Sequence, residues 1–241
     1  MTLKIKSAED IDLEKATYLI YGSQGVGKTS SLKHLPGKTL VIPIDQSESV
    51  LVGEKNIDIA EIDSSEMWES WNTTVTELIT NPIYEQTYDN IVVDNVSELF
   101  RSSLENLGKH GKASQQGVPS MADYQKVDFL VMRMLRALKK LDVRLVITAW
   151  DVLVPFESES GQTFTRKIPD LRKGVQNNFL GLCDVVAYLT VSQREEGVVR
   201  GFVLQPTNDV VAKNRLDDRK GCLVSELVVK EGVDDGNMET G

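Results

Sequence analysis

The chain has little cysteine, no long apolar run and a deficit of positive charge. Only Cys183 and Cys222 occur among 241 residues, far apart and without CxxC spacing. Neither a zinc site nor a disulfide framework follows from such a pair, and a reduced, cytoplasmic protein is expected. No apolar run approaches the roughly 18 to 20 residues that span a bilayer, so no membrane partner is expected. The segment before Lys15 is mixed in charge and has no apolar core, which speaks against a secretory signal. The formal net charge is −9. That deficit weighs against broad, non-specific affinity for nucleic acid, which Lys and Arg drive. It leaves room for a local basic loop on an acidic body.

What is present is an alternation of strand and helix patterns. Residues 1–14 read as a charged lead-in, 15–230 as one α/β core, and 231–241 as an acidic, frayed tail. Thr17–Tyr21 is a short apolar strand ending at Gly22. Lys28–His34 reads as a helix stopped by Leu35-Pro36-Gly37. Strands are expected at Thr39–Ile44, where Pro43 marks an end or bulge, and at Ile57–Ile62. A helix is expected over Glu66–Ile79 with Trp68 and Trp71 one turn apart. Asn90–Asp94 is a continuous apolar run closed by a carboxylate, the pattern of a buried parallel strand. Residues 107–120 are rich in Gly, Ser and Gln and read as a long loop. A stripe of Val127, Leu130, Val131, Met134, Leu135, Leu138 and Leu141 predicts a helix over Ala122–Leu141. Val143–Ala149 is a further buried strand, followed by a loop or hairpin over Asp151–Lys167. A helix over Leu171–Leu182 and a strand over Asp184–Val191 come next. More β-structure is expected around Val203, Val210-Val211 and Val228-Val229. Such an order implies a mainly parallel sheet with helices on both faces. Ligands of such sheets sit at the C-terminal ends of the strands.

The segment Gly22-Ser23-Gln24-Gly25-Val26-Gly27-Lys28-Thr29, followed by Ser30, matches the phosphate-loop pattern GxxxxGK[ST] in full. Its glycines let the backbone curl so that successive N–H groups face a phosphate. The helix beginning near Lys28 aims its positive end at the same point. Lys28 reaches the β- and γ-phosphates, and the Thr29 hydroxyl is suited to ligate Mg²⁺. From average composition, a chance match in a chain of this length is on the order of one in a hundred. A nucleoside triphosphate, ATP with Mg²⁺, is therefore the expected ligand. The metal needs a second acidic group from the end of a neighbouring strand, and Asp94 is the candidate. Asn95 follows it and cannot take a proton from water. A general base must then lie elsewhere, with Asp45 and Glu48 the nearest carboxylates, or hydrolysis is slow. Thr148, at the end of its strand, is either a sensor of the γ-phosphate or a strand-end threonine with no task.

The order of these elements resembles the ATPase core of the RecA family. More closely it is similar to the small phage nucleotide-binding proteins that consist of that core alone and are regarded as single-strand annealing recombinases. The resemblance runs over about residues 15–220. It rests on the phosphate loop, Ile91-Val92-Val93-Asp94, Val146-Ile147-Thr148-Ala149, Pro169-Asp170-Leu171 with Gly181-Leu182, and Val211-Ala212-Lys213-Asn214-Arg215. It implies that Lys213 and Arg215 reach across a subunit interface to a neighbour's γ-phosphate as finger residues. It implies self-association into a ring or filament with the nucleotide at the interface. It also implies binding of single-stranded DNA by two loops, one around Lys109, His110 and Lys112 and one over Asp151–Lys167, with a single-strand DNA-binding protein as a further partner. A phage protein of this type works in the host cytoplasm. Trp150-Asp151 departs from the family pattern, which has a polar group such as Gln or His there. Two other readings stay open. One is a nucleotide kinase, although 151–173 offers only Arg166 and Arg172 for the arginine-rich lid such enzymes carry. The other is an ATP-dependent switch that contacts a protein partner through Trp68, Trp71 and the acidic tail.

Overall fold

The computed structural model describes residues 5, 7–10, 12–110, 117–157, 161–194 and 197–228. The first half runs β1 (Thr17–Gly22), α1 (Lys28–Ser31), β2 (Thr39–Pro43), β3 (Ile57–Ile59), α2 (Met67–Thr80), α3 (Ile83–Thr87), β4 (Asn90–Asp94) and α4 (Val96–His110). The second half runs α5 (Met121–Leu138), β5 (Arg144–Glu157), β6 (Thr163–Pro169), α6 (Lys173–Leu182), β7 (Val185–Arg194), β8 (Gly197–Val203), β9 (Lys213–Asn214) and β10 (Gly221–Leu223).

The strands lie in the order β10-β8-β7-β1-β5-β4-β2-β3. From β7 across to β3 every pairing is parallel. Beyond β7, strands β8 and β10 are antiparallel, and β9 pairs antiparallel with the start of β7. β1, β2 and β4 are buried at every position, which is why their sequences are apolar throughout rather than alternating.

The pleat still sorts their side chains between two cores. Leu19, Tyr21, Ile91, Val93, Leu145 and Ile147 face a core built with α2, α4, α5 and α6. Tyr18, Ile20, Val92 and Val146 face the other, where Leu32, Leu35 and Leu51 complete the packing. Both faces are thus covered, unequally: four long helices on one, the single turn of α1 and short 3₁₀ turns on the other. Trp71 is fully buried and Trp68 nearly so in the thicker core. Truncating Trp71 to Ala is expected to cost about 3–5 kcal/mol. α5 starts at a reciprocal cap in which Ser120 and Asp123 exchange hydrogen bonds. It buries Val127, Val131, Leu135 and Leu138, the stripe read from the sequence.

Several boundaries depart from expectation. The helix expected over Lys28–His34 is one α-turn followed by a 3₁₀ turn, Leu32–His34. The Gly-rich stretch from 107 is not all loop. α4 continues through Lys109 and His110 because Leu104 and Leu107 still bury against the core. Residues 111–116, including Lys112, lie outside the described residues, as does the tail at 231–241. β5 is twice as long as the buried run that announced it, and its outer half forms an antiparallel hairpin with β6, from Asp151↔Pro169 to Glu157↔Thr163. Val210 makes a single bridge to Lys167. The last strand among the described residues is Gly221–Leu223; Val228 is not in a strand, and Val229 lies outside the described residues.

Candidate functional site: a phosphate loop beside a buried carboxylate

β1 delivers the chain to Gly22, and the loop then turns through left-handed conformations at Gly25 (φ 72°) and Gly27 (φ 107°). A side chain at either position would be strained. Gln24, Gly25, Gly27, Lys28, Thr29 and Ser30 line a cleft of about 300 Å³ together with Asp45 and Asp94. Because α1 is a single turn, its dipole adds little. The loop N–H groups and Lys28 carry the attraction for an anion.

Lys28 is buried, and its ammonium donates to the carbonyls of Gly22 at 2.9 Å and Ser23 at 3.0 Å. Burial pushes its pKa down, while the carboxylates of Asp94, Asp151 and Asp45 oppose that shift. A cation held in this way exchanges two carbonyl acceptors for phosphate oxygens without moving through apolar surroundings.

Asp94 is 2% exposed at the end of β4. Thr29 Oγ1 donates to its Oδ2 at 2.7 Å, Ser47 Oγ to the same oxygen at 3.3 Å, and Thr148 Oγ1 to Oδ1. Burial raises its pKa and the three hydroxyl hydrogen bonds pull the other way. Strand order explains the meeting. β5 lies between β1 and β4, so Thr148 is set directly between the phosphate loop and the carboxylate. Thr148 is therefore inside β5 and not at its end, and its hydroxyl is engaged by Asp94.

These donors test the fit for Mg²⁺. Hard oxygen ligands converge beside a phosphate loop, and no group of three or more His, Cys, Asp or Glu forms a cage among the described residues. Mg²⁺ is held in this manner, through one or two carboxylates, hydroxyls, water and substrate phosphates. Thr29 and Asp94 are the residues that would hold it.

Asp45 and Glu48, equivalent in the sequence, are separated by the structure. Asp45 lines the cleft. Its Oδ2 accepts from Asn95 Nδ2, and its Oδ1 accepts from the Ser47 N–H at 3.2 Å. Glu48 is not among the lining residues, and its Oε2 is buried without a hydrogen-bond partner among the described residues. Asn95 has two tasks: it orients Asp45, and its Oδ1 accepts from the Glu98 N–H at 2.8 Å in the first turn of α4.

Three participants had no motif to announce them. Ser47 joins the Asp94 cluster. Trp150 lines the cleft, with the Arg101 guanidinium 4.8 Å above its ring. Asp151 accepts from Ser23 Oγ at 3.0 Å and so ties the phosphate loop to the root of the β5–β6 hairpin. The departure Trp150-Asp151 was visible in the sequence, but not its contact with the loop.

Lys213 and Arg215 lie at the opposite end of the sheet. Lys213 pairs with Val186 and Asn214 with Val185, while Arg215 N donates to Asp184 O at 3.2 Å. Arg215 is thus at the level of Thr17, where β1 begins, and Lys213 at that of Leu19. The phosphate loop starts at Gly22, roughly 16 Å along the strand from the first level and roughly 10 Å from the second at ~3.3 Å per residue. Neither residue lines the cleft. Lys213 is half-buried and donates to Leu180 O, whereas Arg215 is exposed. Only the first of them is in a strand, so they do not form the alternating pair on one strand that the sequence suggested.

Lys109 and His110, expected on a flexible loop, occupy the last turn of α4. There Lys109 pairs with Glu105 at 2.6 Å and His110 stands 3.4 Å from Glu66. Arg166 and Arg172 are engaged away from the cleft: Arg166 stacks on Phe156 and donates to Asn208 O at 3.0 Å, and Arg172 pairs with Asp128 at 2.7 Å.

A family model described as an AAA domain matches residues 14–216, most of the chain. Among solved structures, a KaiC-like protein from the hyperthermophilic archaeon Pyrococcus horikoshii aligns at 10% identity over 80% of this chain and 80% of its own, with a TM-score of 0.42. At that level the likeness decides nothing about ligand or activity. No curated protein matches. No helix among the described residues is long and apolar enough to cross a membrane.

Proposed function

The chain belongs to the AAA domain family of P-loop ATPases, and from that premise we propose that it binds ATP with Mg²⁺ in the cleft between Lys28 and Asp94 and hydrolyses it. The observation that carries this reading is the convergence of Thr29, Ser47 and Thr148 on one buried carboxylate beside the phosphate-loop lysine. When bound, Mg²⁺ supplies charge neutralisation to the β- and γ-phosphate oxygens. Lys28 adds a second positive charge at the same oxygens. Asp45, held by Asn95 and the Ser47 N–H, is the base that takes a proton from the attacking water. The site of one subunit lacks a finger residue, since Lys213 and Arg215 stand at the far end of the sheet. A neighbouring copy stacked head to tail supplies Arg215, and turnover is slow without it.

The finer reading is an ATP-controlled protein that binds or anneals single-stranded DNA, of the phage recombinase type. Two segments support it. The β5–β6 hairpin leaves the cleft at Trp150-Asp151 and carries Lys167, Phe164 and Arg166 stacked 3.5 Å over Phe156. Basic and aromatic side chains interleaved in this way suit unpaired bases. The end of α4 carries Lys109 and His110, both exposed, two residues short of Lys112 in the sequence. A kinase reading is disfavoured because neither Arg166 nor Arg172 lines the cleft. A protein-partner switch loses its tryptophans, which are buried.

The test is binding of a fluorescent single-stranded oligonucleotide with and without a non-hydrolysable ATP analogue, beside Lys109→Glu/Lys112→Glu and Arg166→Glu. Tighter binding with the analogue, lost in a charge-reversed variant, supports the DNA reading. Binding in neither nucleotide state sinks it. Rings or filaments in electron micrographs with ATP support the shared site.

A further inference from the structure

Arg200 stands on β8, between β10 and β7 in the sheet order and 174 residues from the phosphate loop, and touches that loop. Its Nε donates to the Val26 carbonyl at 3.0 Å. A Cβ placed on Gly27 would lie 3.2 Å from that Nε, so the guanidinium covers the loop at the point where glycine leaves room for it. On its other side Arg200 borders a cavity of about 420 Å³, lined also by Gly25, Gly27, Ser30, His34 and Leu223. Gly25, Gly27 and Ser30 line the Lys28–Asp94 cleft as well. Both spaces therefore border the same three residues, and Arg200 lines the larger one.

The chemistry of that position is specific. Arginine carries five N–H donors in a planar fork. Val26 engages only Nε, and among the described residues it is the one acceptor recorded for this side chain. The terminal phosphates of a nucleotide belong at Lys28 and Asp94. Gly25, Gly27 and Ser30, which border both spaces, offer the rest of the molecule a course toward the larger cavity that Arg200 lines. The β7–β8 pairing fixes where β8 runs, with Arg200 opposite Val191, so the cation is delivered by the sheet and not by the loop.

We propose that Arg200 is a second phosphate-binding cation of this site, acting within one subunit on the α- and β-phosphates, with the cavity beside His34 receiving the nucleoside. This rests on the nucleotide-binding reading above. The bland alternative is that Arg200 only pins the Val26 carbonyl.

The experiment titrates fluorescent ADP and ATP analogues, and adenosine as a competitor, into the full chain and into Arg200→Ala, Arg200→Gln and Arg200→Lys. Gln keeps a neutral N–H donor for Val26 and removes the charge. Loss of one charge-assisted contact predicts about tenfold or greater weakening of ADP and ATP in both the Ala and Gln variants. Lys recovers part of it, and adenosine affinity hardly changes. Circular dichroism confirms that each variant is folded, as an exposed position allows. Wild-type affinity in Arg200→Gln, or an equal loss for adenosine, overturns the proposal and leaves nucleotide binding standing. No measurable nucleotide binding by the unaltered chain overturns both.

Discussion

The two ends of the parallel sheet are built in opposite ways. At the C-terminal end polar groups turn inward: three hydroxyls meet on Asp94, and Lys28 is held by two loop carbonyls. At the N-terminal end cations accumulate and one faces out. Lys139, Lys213 and Arg215 gather about Asp184, which Lys139 pairs at 2.9 Å, and Arg215 is exposed. The first arrangement is organised to exchange internal partners for a ligand. The second has more positive charge than its own surroundings use. A head-to-tail neighbour would bring the two together, which is the physical content of a shared site.

That comparison can be broken or sharpened by experiment. The largest effect is expected for Arg215→Ala: if a neighbouring copy supplies it to the site, the substitution should lower ATP turnover by about a thousandfold, the scale of finger arginines. Nucleotide affinity of dilute monomer should stay unchanged. If affinity falls along with turnover, the two ends are not separate. Lys28→Ala acts at the other end and should weaken ATP binding by calorimetry on the order of a hundredfold, since it removes charge-assisted contacts to two phosphates. Thr148→Val leaves a buried carboxylate short of a donor. Chemical denaturation should show a loss of about 1–3 kcal/mol, and Thr148→Ser should recover most of it. The smallest effect concerns charge crowding. Lys213 has its pKa lowered first by burial and then by Arg215. In Arg215→Ala its value, followed by NMR, should rise but stop short of an ordinary lysine, because burial remains. A lysine whose folded pKa is lowered costs stability below that pKa, and the cost fades as pH rises toward the unfolded value. The contribution of Lys213 to pH-dependent stability should therefore shrink in the same variant. An unchanged Lys213 would mean that the cations are too far apart to form one cluster.

Much of the C-terminal end was legible beforehand. The glycine spacing, Lys28, Thr29 and the apolar run into Asp94 each report on a few neighbouring residues. The different settings of Asp45 and Glu48 were not legible, because they depend on which carboxylate Asn95 reaches across 50 residues. The stretch around Lys109 departs in part from its sequence pattern. Gly108 and the polar residues around it suggested loop, yet burial of Leu104 and Leu107 keeps α4 helical to His110. Local propensity lost there to tertiary packing.

The sequence by itself determined that a phosphate loop exists and that a strand ends in a carboxylate, since both are set by short-range sterics and by burial of continuous apolar runs. Only the tertiary structure decided what those parts meet. Placing β5 between β1 and β4 puts Thr148 on Asp94, and the β7–β8 pairing carries Arg200 to Val26. The antiparallel return of β9 onto the start of β7 sends Lys213 and Arg215 away from their own loop. Strand order and register arise from pairings between distant segments, and no local pattern of residues encodes them.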